Sequence, residues 1–300
     1  MKFDVVGFGA LNVDKLYRVD EIAGIGEERF ITGCVEAAGG SAANTIVGLA
    51  RLGNKVGYIG KVGGDREKEF LLRSFIADNV DTKGVIVSKG ERSGIVIGFV
   101  DRKGERTMYV NPGANDTLSW EEVDKEYANN AKFLHLTSFV GEKPFKAQRK
   151  LVQSLPEIRV SFDPGSLYIR KGLAALRPIL RRSSIIFPNE SELRHLTGKD
   201  CEKGAKTLIE EGAKIVAVKL GEGGCYVTDE KENFMIEAFK VRVVDTTGAG
   251  DAFCAGFLHG LLQGRDLYAC GRIANFVASR KIEKAGAREG LPRLTDLPKS

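Results

Sequence analysis

The chain has 300 residues, enough for one large domain or two small ones. With 43% hydrophobic and 28% charged residues it can fill a packed core, which argues against a disordered chain. The formal charge of +5 is spread thinly, without the blocks of like charge that mark nucleic-acid or membrane-surface binding.

The first residues, Met1-Lys2-Phe3-Asp4-Val5-Val6, carry an acid inside the first apolar run. They lack the pattern of a secretory signal, so a cytoplasmic location is expected. No apolar run is long enough for a membrane helix. The five cysteines are widely spaced and include no C-x-x-C pair, so neither a disulfide framework nor a zinc site is expected.

In chain order, buried-type strands are predicted at 3–9, 56–60, 132–136, 159–162, 184–187 and 214–220. Between them fall helical stretches. Residues 45–52 carry Ile46, Val47, Leu49, Ala50 and Leu52 and stop at Gly53. Residues 67–79 place Phe70, Leu71, Ser74 and Phe75 on one side. Residues 251–262 are apolar almost all round and are expected to be buried, with His259 among them as a structural residue. This alternation predicts an α/β domain with a mostly parallel sheet. Two stretches, 13–35 and 93–110, lack a helical period. The second reads as a hairpin with its turn at 101–104, so a small second sheet is expected. One domain over 1–300 is expected, with no linker or repeat.

Five segments carry candidate chemistry. In Asp245-Thr246-Thr247-Gly248-Ala249-Gly250-Asp251 a strand is expected to end and a helix to begin near Asp251. Gly248, Ala249 and Gly250 let backbone N–H groups approach an anion at a helix N-terminus. Asp251 can accept a proton from an attacking hydroxyl; a plain helix cap is the competing reading. Ala37 to Asn44 again leads small residues into a helix. There Gly39, Gly40 and Asn44 suit hydroxyl recognition, and a tight turn is the alternative. Asn12 and Asp14 follow the first strand and share one side of an extended chain. Asn189 and Glu192 are three apart, which fits either a hydrated Mg²⁺ or a helix cap. Lys219, Gly221 and Gly224 form a glycine loop after a strand that leaves room for a nucleotide. No P-loop is present, and Gly7 and Gly9 lack the third glycine of a dinucleotide fingerprint.

Taken together, Gly39-Gly40-Ser41-Ala42-Ala43-Asn44, Ala50-Arg51-Leu52-Gly53 and the 245–251 segment resemble the ribokinase-like (PfkB-type) carbohydrate kinase family over the whole chain. The resemblance implies a Rossmann-like three-layer α/β core with a small β-sheet lid, here about 13–37 and 93–113. It implies transfer of the terminal phosphoryl group of ATP, or in some members ADP, to a hydroxymethyl group. It makes Asp251 the base and Gly248, Ala249 and Gly250 the anion hole. Asn12, Asp14, Gly39, Gly40, Asn44 and Glu142 become acceptor contacts, with Arg106 and Asn111 near the lid. Asn189 and Glu192 are tied to Mg²⁺ and the nucleotide phosphates, Glu192 reaching Mg²⁺ through water. Lys219, Gly221 and Gly224 fall to the nucleotide, Lys219 standing where a threonine is common. Asn275 and residues 286–290 are implied over the adenine. Asp245, Thr247, Ala287 and Gly290 match a loop that binds K⁺ in many members. The acceptor is expected to be a sugar of the ribose or fructose type, with a nucleoside or a sugar phosphate as alternatives. A non-catalytic binding module and a dinucleotide-dependent oxidoreductase are the readings from other classes. A homodimer paired through the lids is expected from its open strand edges.

Overall fold

The computed structural model describes residues 2–298; Met1, counted above in the first apolar run, lies outside the described residues, as do Lys299 and Ser300. The first half of the chain forms β1 (Phe3–Phe8), β2 (Asn12–Val19), β3 (Ile31–Gly39), α1 (Ser41–Arg51), β4 (Val56–Val62), α2 (Arg66–Ala77), β5 (Asp81–Val87), β6 (Gly94–Val100), β7 (Arg106–Asn111), α3 (Lys125–Asn129) and β8 (Ala131–Thr137). The second half forms α4 (Glu142–Ser154), β9 (Arg159–Asp163), α5 (Gly165–Ile169), α6 (Leu173–Leu180), β10 (Ser183–Ile186), α7 (Glu190–Thr197), α8 (Cys201–Glu210), β11 (Val216–Lys219), β12 (Cys225–Thr228), β13 (Asn233–Ile236), α9 (Ala249–Leu262) and α10 (Leu267–Ile282).

Nine strands build the main sheet in the order β13-β12-β11-β10-β9-β8-β1-β4-β5. Every pair from β5 across to β11 is parallel, and β12 and β13 turn back antiparallel. Helices cover both faces, which is why strands such as Val56–Val62 are buried along their whole length. One face packs under α1, α2, α9 and α10 through Ile46, Phe75, Phe257 and Val277; the other packs under α4, α6, α7 and α8 through Leu151, Leu176, Leu193 and Leu208. This is the expected three-layer α/β architecture. The two aperiodic stretches form a separate four-stranded sheet, β3-β2-β6-β7. Its β6–β7 hairpin turns where predicted. Because β2 follows β1 after three residues, the small sheet leaves the main sheet at the carboxyl end of β1.

Three local expectations change. The helix placed at 45–52 begins at Ser41, because Gly40 caps it at φ 109°, a backbone conformation that side chains rarely adopt. Phe70 is 39% exposed, so only Leu71 and Phe75 of the α2 stripe are buried. No strand leads into Asp245. Val243 and Val244 are exposed, and the N–H groups of Val244 and Asp245 both donate to the Ile282 carbonyl at the end of α10. Their backbone bonds are thus met by a helix end rather than by a ladder. The interior of α9 is buried as expected, and Asn54 Nδ2 and His259 Nδ1 lie 3.0 Å apart, a structural role for that histidine. All five cysteines are free. Among the described residues no helix is long and apolar enough to cross a membrane.

Candidate active site

The carboxyl ends of β1, β8, β9 and β11 converge on the N-termini of α1 and α9, where open parallel sheets hold their ligands. Gly248, in the left-handed region at φ 77°, caps α9, and Ala249 and Gly250 open its first turn. Asp251 lies inside that turn, so the capping reading does not hold for it. Its carboxylate instead reaches across to α1. Ser41 Oγ donates to Oδ1 at 2.6 Å and Asn44 Nδ2 donates to Oδ2 at 2.9 Å. Burial pushes the Asp251 pKa up to about 6; the two hydrogen bonds oppose that rise, Asp163 adds to it and Lys219 opposes it.

The orientation of the Asn44 amide follows from its other end. Arg288 Nε stands 2.8 Å from Asn44 Oδ1. A guanidinium only donates, so the atom facing it must be the carbonyl oxygen, which turns the Asn44 NH₂ toward Asp251. Arg288 is 7% exposed and also donates to Ser74, while its Nη2 has no partner. Burial lowers its pKa to about 10, with Tyr58, Asp78 and Asp14 opposing. Asp14 sits beside this group on β2. Its pKa is raised to about 6 by burial, with Arg288 pulling it down and Asp251 pushing it up. The Asp14 carboxylate lies over Gly39, where any Cβ would strike it. Gly39→Ala is therefore expected to displace Asp14 and raise KM for the acceptor by about tenfold or more, with KM for nucleotide unchanged. Steady-state kinetics with each substrate varied in turn checks this.

A second cluster lies on the β9–β11 side. Lys219 Nζ is 2.7 Å from Asp163 Oδ2, and both side chains are largely buried. A Cβ built on Gly250 would stand 3.4 Å from Lys219 Nζ, which places this ammonium against the glycine turn. Asp163, Glu192 and Cys254 together hold the Lys219 pKa above its usual value despite burial. Burial and the charge of Asp163 raise the Glu192 pKa. A carboxylate whose charge is disfavoured by its neighbour suits a further cation. Asn189 and Glu192 form a capping box: Asn189 Oδ1 accepts from Glu192 N–H and Glu192 Oε2 accepts from Asn189 N–H, each at 2.8 Å. The cap uses one Glu192 oxygen and leaves Oε1 for a water of a hydrated ion. Among the described residues no cluster of three or more metal-ligating side chains occurs.

The remaining predicted residues divide. Gly224, at φ 88°, presses against the Ile236 carbonyl, and Gly221, at φ 60°, borders open space. Gly40 closes on the Ala10 carbonyl. Asn12 accepts from Asn115 Nδ2 at 3.0 Å. Asn275 spends its amide on the Ile236 and Glu237 carbonyls, tying α10 to the end of β13. Glu142 is exposed and ion-paired with Lys171. Arg106 reaches from the small sheet to Thr247 Oγ1 at 3.3 Å, whereas Asn111 only closes its own turn on Gly113. The Asp245 carboxylate accepts from Thr247 and Gly286 N–H groups, and Gly248 packs against the Ala287 carbonyl. Gly290 packs against the Lys281 carbonyl. Sequence reasoning missed Asp163, the bridging role of Arg288, and Asn115, which holds Leu11 through both its amide ends. Asp163 had one usable signal, a carboxylate at the end of a predicted strand.

The model of the pfkB family of carbohydrate kinases matches residues 2–294. The chain belongs to that family. It is 46% identical over 253 residues to an uncharacterized sugar kinase of Archaeoglobus fulgidus, covering 83% of this chain and all of that one. It is 32% identical over 286 residues to an ATP-dependent ribose-1-phosphate kinase of Halopiger xanaduensis, covering 95% and 93%. The fold matches a ribokinase of Thermotoga maritima with a TM-score of 0.88 at 25% identity, over 98% and 97% of the two chains. It also matches an E. coli protein assigned as ribokinase II, solved with ATP and Mg²⁺, with a TM-score of 0.85 at 28% identity over 98% and 97%. The pfkB kinase is thus a phosphotransferase acting on sugar hydroxyl groups, and the oxidoreductase reading falls away.

Proposed function

We propose that this pfkB kinase transfers the terminal phosphoryl group of ATP to a hydroxymethyl group of a pentose or hexose, with Asp251 as general base. The observation that carries this is the Asp251 carboxylate. It is buried in the first turn of α9 directly after the glycine turn, held by Ser41 and Asn44, with a pKa raised to about 6. The acceptor hydroxyl gives its proton to Asp251 as its oxygen bonds to the terminal phosphorus, and the bond to the ADP oxygen breaks. The N–H groups of Gly248 and Gly250 stabilise the charge on the transferring group, while the Ala249 N–H donates to the Thr246 carbonyl at 3.1 Å, and Lys219 adds a fixed cation beside them. Asp14, Asn12 and Asn44 orient the acceptor above Gly39 and Gly40. Mg²⁺, held through water by Glu192 with Asn189 and Asp163 nearby, would neutralise charge on the nucleotide phosphates.

The chain acts as one domain with the small sheet as a lid, which the Arg106 contact to Thr247 supports by joining that sheet to the glycine turn. Outer strands β3 and β7 leave Ile31, Val35, Met108, Tyr109 and Val110 exposed. Pairing of two lids covers such edges. Light scattering is expected to give a dimer of this 300-residue chain. A monomer at assay concentration contradicts the pairing.

A sugar phosphate is the second acceptor reading. It is favoured by the ribose-1-phosphate kinase relative and by the unpartnered Arg288 nitrogen beside Asp14. A screen of sugars, sugar phosphates and nucleosides, with ATP and ADP as separate donors, decides among them. Turnover with unphosphorylated sugars supports the first reading, turnover confined to sugar phosphates supports the second, and turnover confined to nucleosides removes both.

A further inference from the structure

The loop matching the K⁺ site already holds a cation that belongs to the chain. Lys281, on the last turn of α10, is fully buried at 0% exposure. Its Nζ donates to the Asp245 carbonyl at 2.8 Å and to the Lys284 carbonyl at 3.4 Å. Among the described residues it has no carboxylate within ion-pair distance, and its two partners are backbone carbonyls, the ligand type that replaces water around K⁺. The Asp245 carboxylate accepts from the Thr247 and Gly286 N–H groups. The Ala287 carbonyl lies against Gly248, and Gly290 against the Lys281 backbone.

We propose that the Lys281 ammonium takes the place of a potassium ion in this enzyme, so that the kinase needs no monovalent cation. Two unit charges on the same Asp245 carbonyl repel strongly at low dielectric, so K⁺ and the ammonium exclude each other there. The residues implied for K⁺ therefore do not fit an ion here while Lys281 stays in place. The position also explains what the ammonium does. The Asp245 to Thr247 loop runs straight into Gly248, so fixing its carbonyls from α10 fixes the direction of the N–H groups of the glycine turn. Val244 and Asp245 N–H bonds to Ile282 reinforce the same joint. Burial pushes the Lys281 pKa down, and Asp245, Glu289 and Asp251 oppose that.

The test compares KCl with choline chloride at constant ionic strength, reading thermal midpoint as well as turnover. The midpoint does not depend on the kinase reading, so failure of that reading is seen separately, as absence of turnover in every salt. For the unsubstituted protein the same midpoint and the same turnover, within about 1.5-fold, are expected in both salts. Lys281→Ala removes the ammonium and leaves room for an ion. It is expected to lose about tenfold or more in turnover in choline and to regain most of it in K⁺, with a midpoint that rises with KCl. Lys281→Met fills the same space without charge and is expected to stay low in both salts. Strong K⁺ stimulation of the unsubstituted protein overturns the inference, and so does a Lys281→Ala variant indifferent to K⁺ in both readouts. If Lys281→Ala folds only in K⁺, the inference stands. If it folds in neither salt, the response of the unsubstituted protein decides.

Discussion

Asp251→Asn is expected to lower turnover by at least about 100-fold, the scale of a lost general base, while the protein keeps its fold. The amide is nearly isosteric with the carboxylate, and the Ser41 hydroxyl can rotate to meet its NH₂. The pH profile should show the same group. Asp251 must be ionised to accept a proton, and its pKa is raised to about 6, so kcat/KM of the unsubstituted enzyme is expected to fall as pH drops through about 6. The stability sign runs opposite to that of a paired carboxylate. The unfolded carboxyl titrates near 3.8 and the folded one near 6, so the buried charge costs stability above about 6 and nothing below about 3.8. Asp251→Asn should therefore melt no lower than the unsubstituted protein at pH 7. Any advantage should shrink as pH falls from 6 toward 4. Calorimetry across that range checks the sign, and a variant that turns over at near wild-type rate removes Asp251 from the chemistry.

Lys219→Met is expected to be the most damaging single change for stability and activity together. It leaves Asp163 buried beside Glu192 and Asp251 with no cation among them. Removing one partner of a buried pair costs about 3–5 kcal/mol, because the remaining charge is uncompensated. Turnover should fall by about 100-fold or more, since the glycine turn loses the ammonium beside Gly250. Asp163→Asn in the same background separates the two effects. The double variant should recover much of the lost stability and little of the turnover. Recovery of both, measured by denaturant unfolding and kinetics, would show that the pair only supports the fold.

Most of the architecture was legible in the sequence because parallel strands buried on both faces are written as continuous apolar runs, and because glycines mark turns that other residues cannot make. Gly40 and Gly248, both at positive φ, are where the two candidate ligand turns were read. What remained hidden depends on partners far apart in the chain. Arg288 meets Asn44 across 244 positions, Lys219 meets Asp163 across 56, and Lys281 meets Asp245 across 36. No local pattern encodes such pairings. Local patterns also serve two ends at once. The spacing of Asn189 and Glu192 suits a cap and an ion-water contact, and the structure uses it as a cap while leaving one Glu192 oxygen over. A strand is expected to end at the 245–251 segment, yet Val243 and Val244 before it are exposed, because the chain there is held by the end of α10 instead of a neighbouring strand.

The most direct measurement is phosphorus NMR of ATP, Mg²⁺ and an accepted sugar with the unsubstituted enzyme and with Asp251→Asn side by side. A phosphomonoester signal growing in step with ADP, and absent with Asp251→Asn, is the expected result. ADP appearing with inorganic phosphate and no sugar ester, or the ester forming equally fast with Asp251→Asn, would contradict phosphoryl transfer by this base.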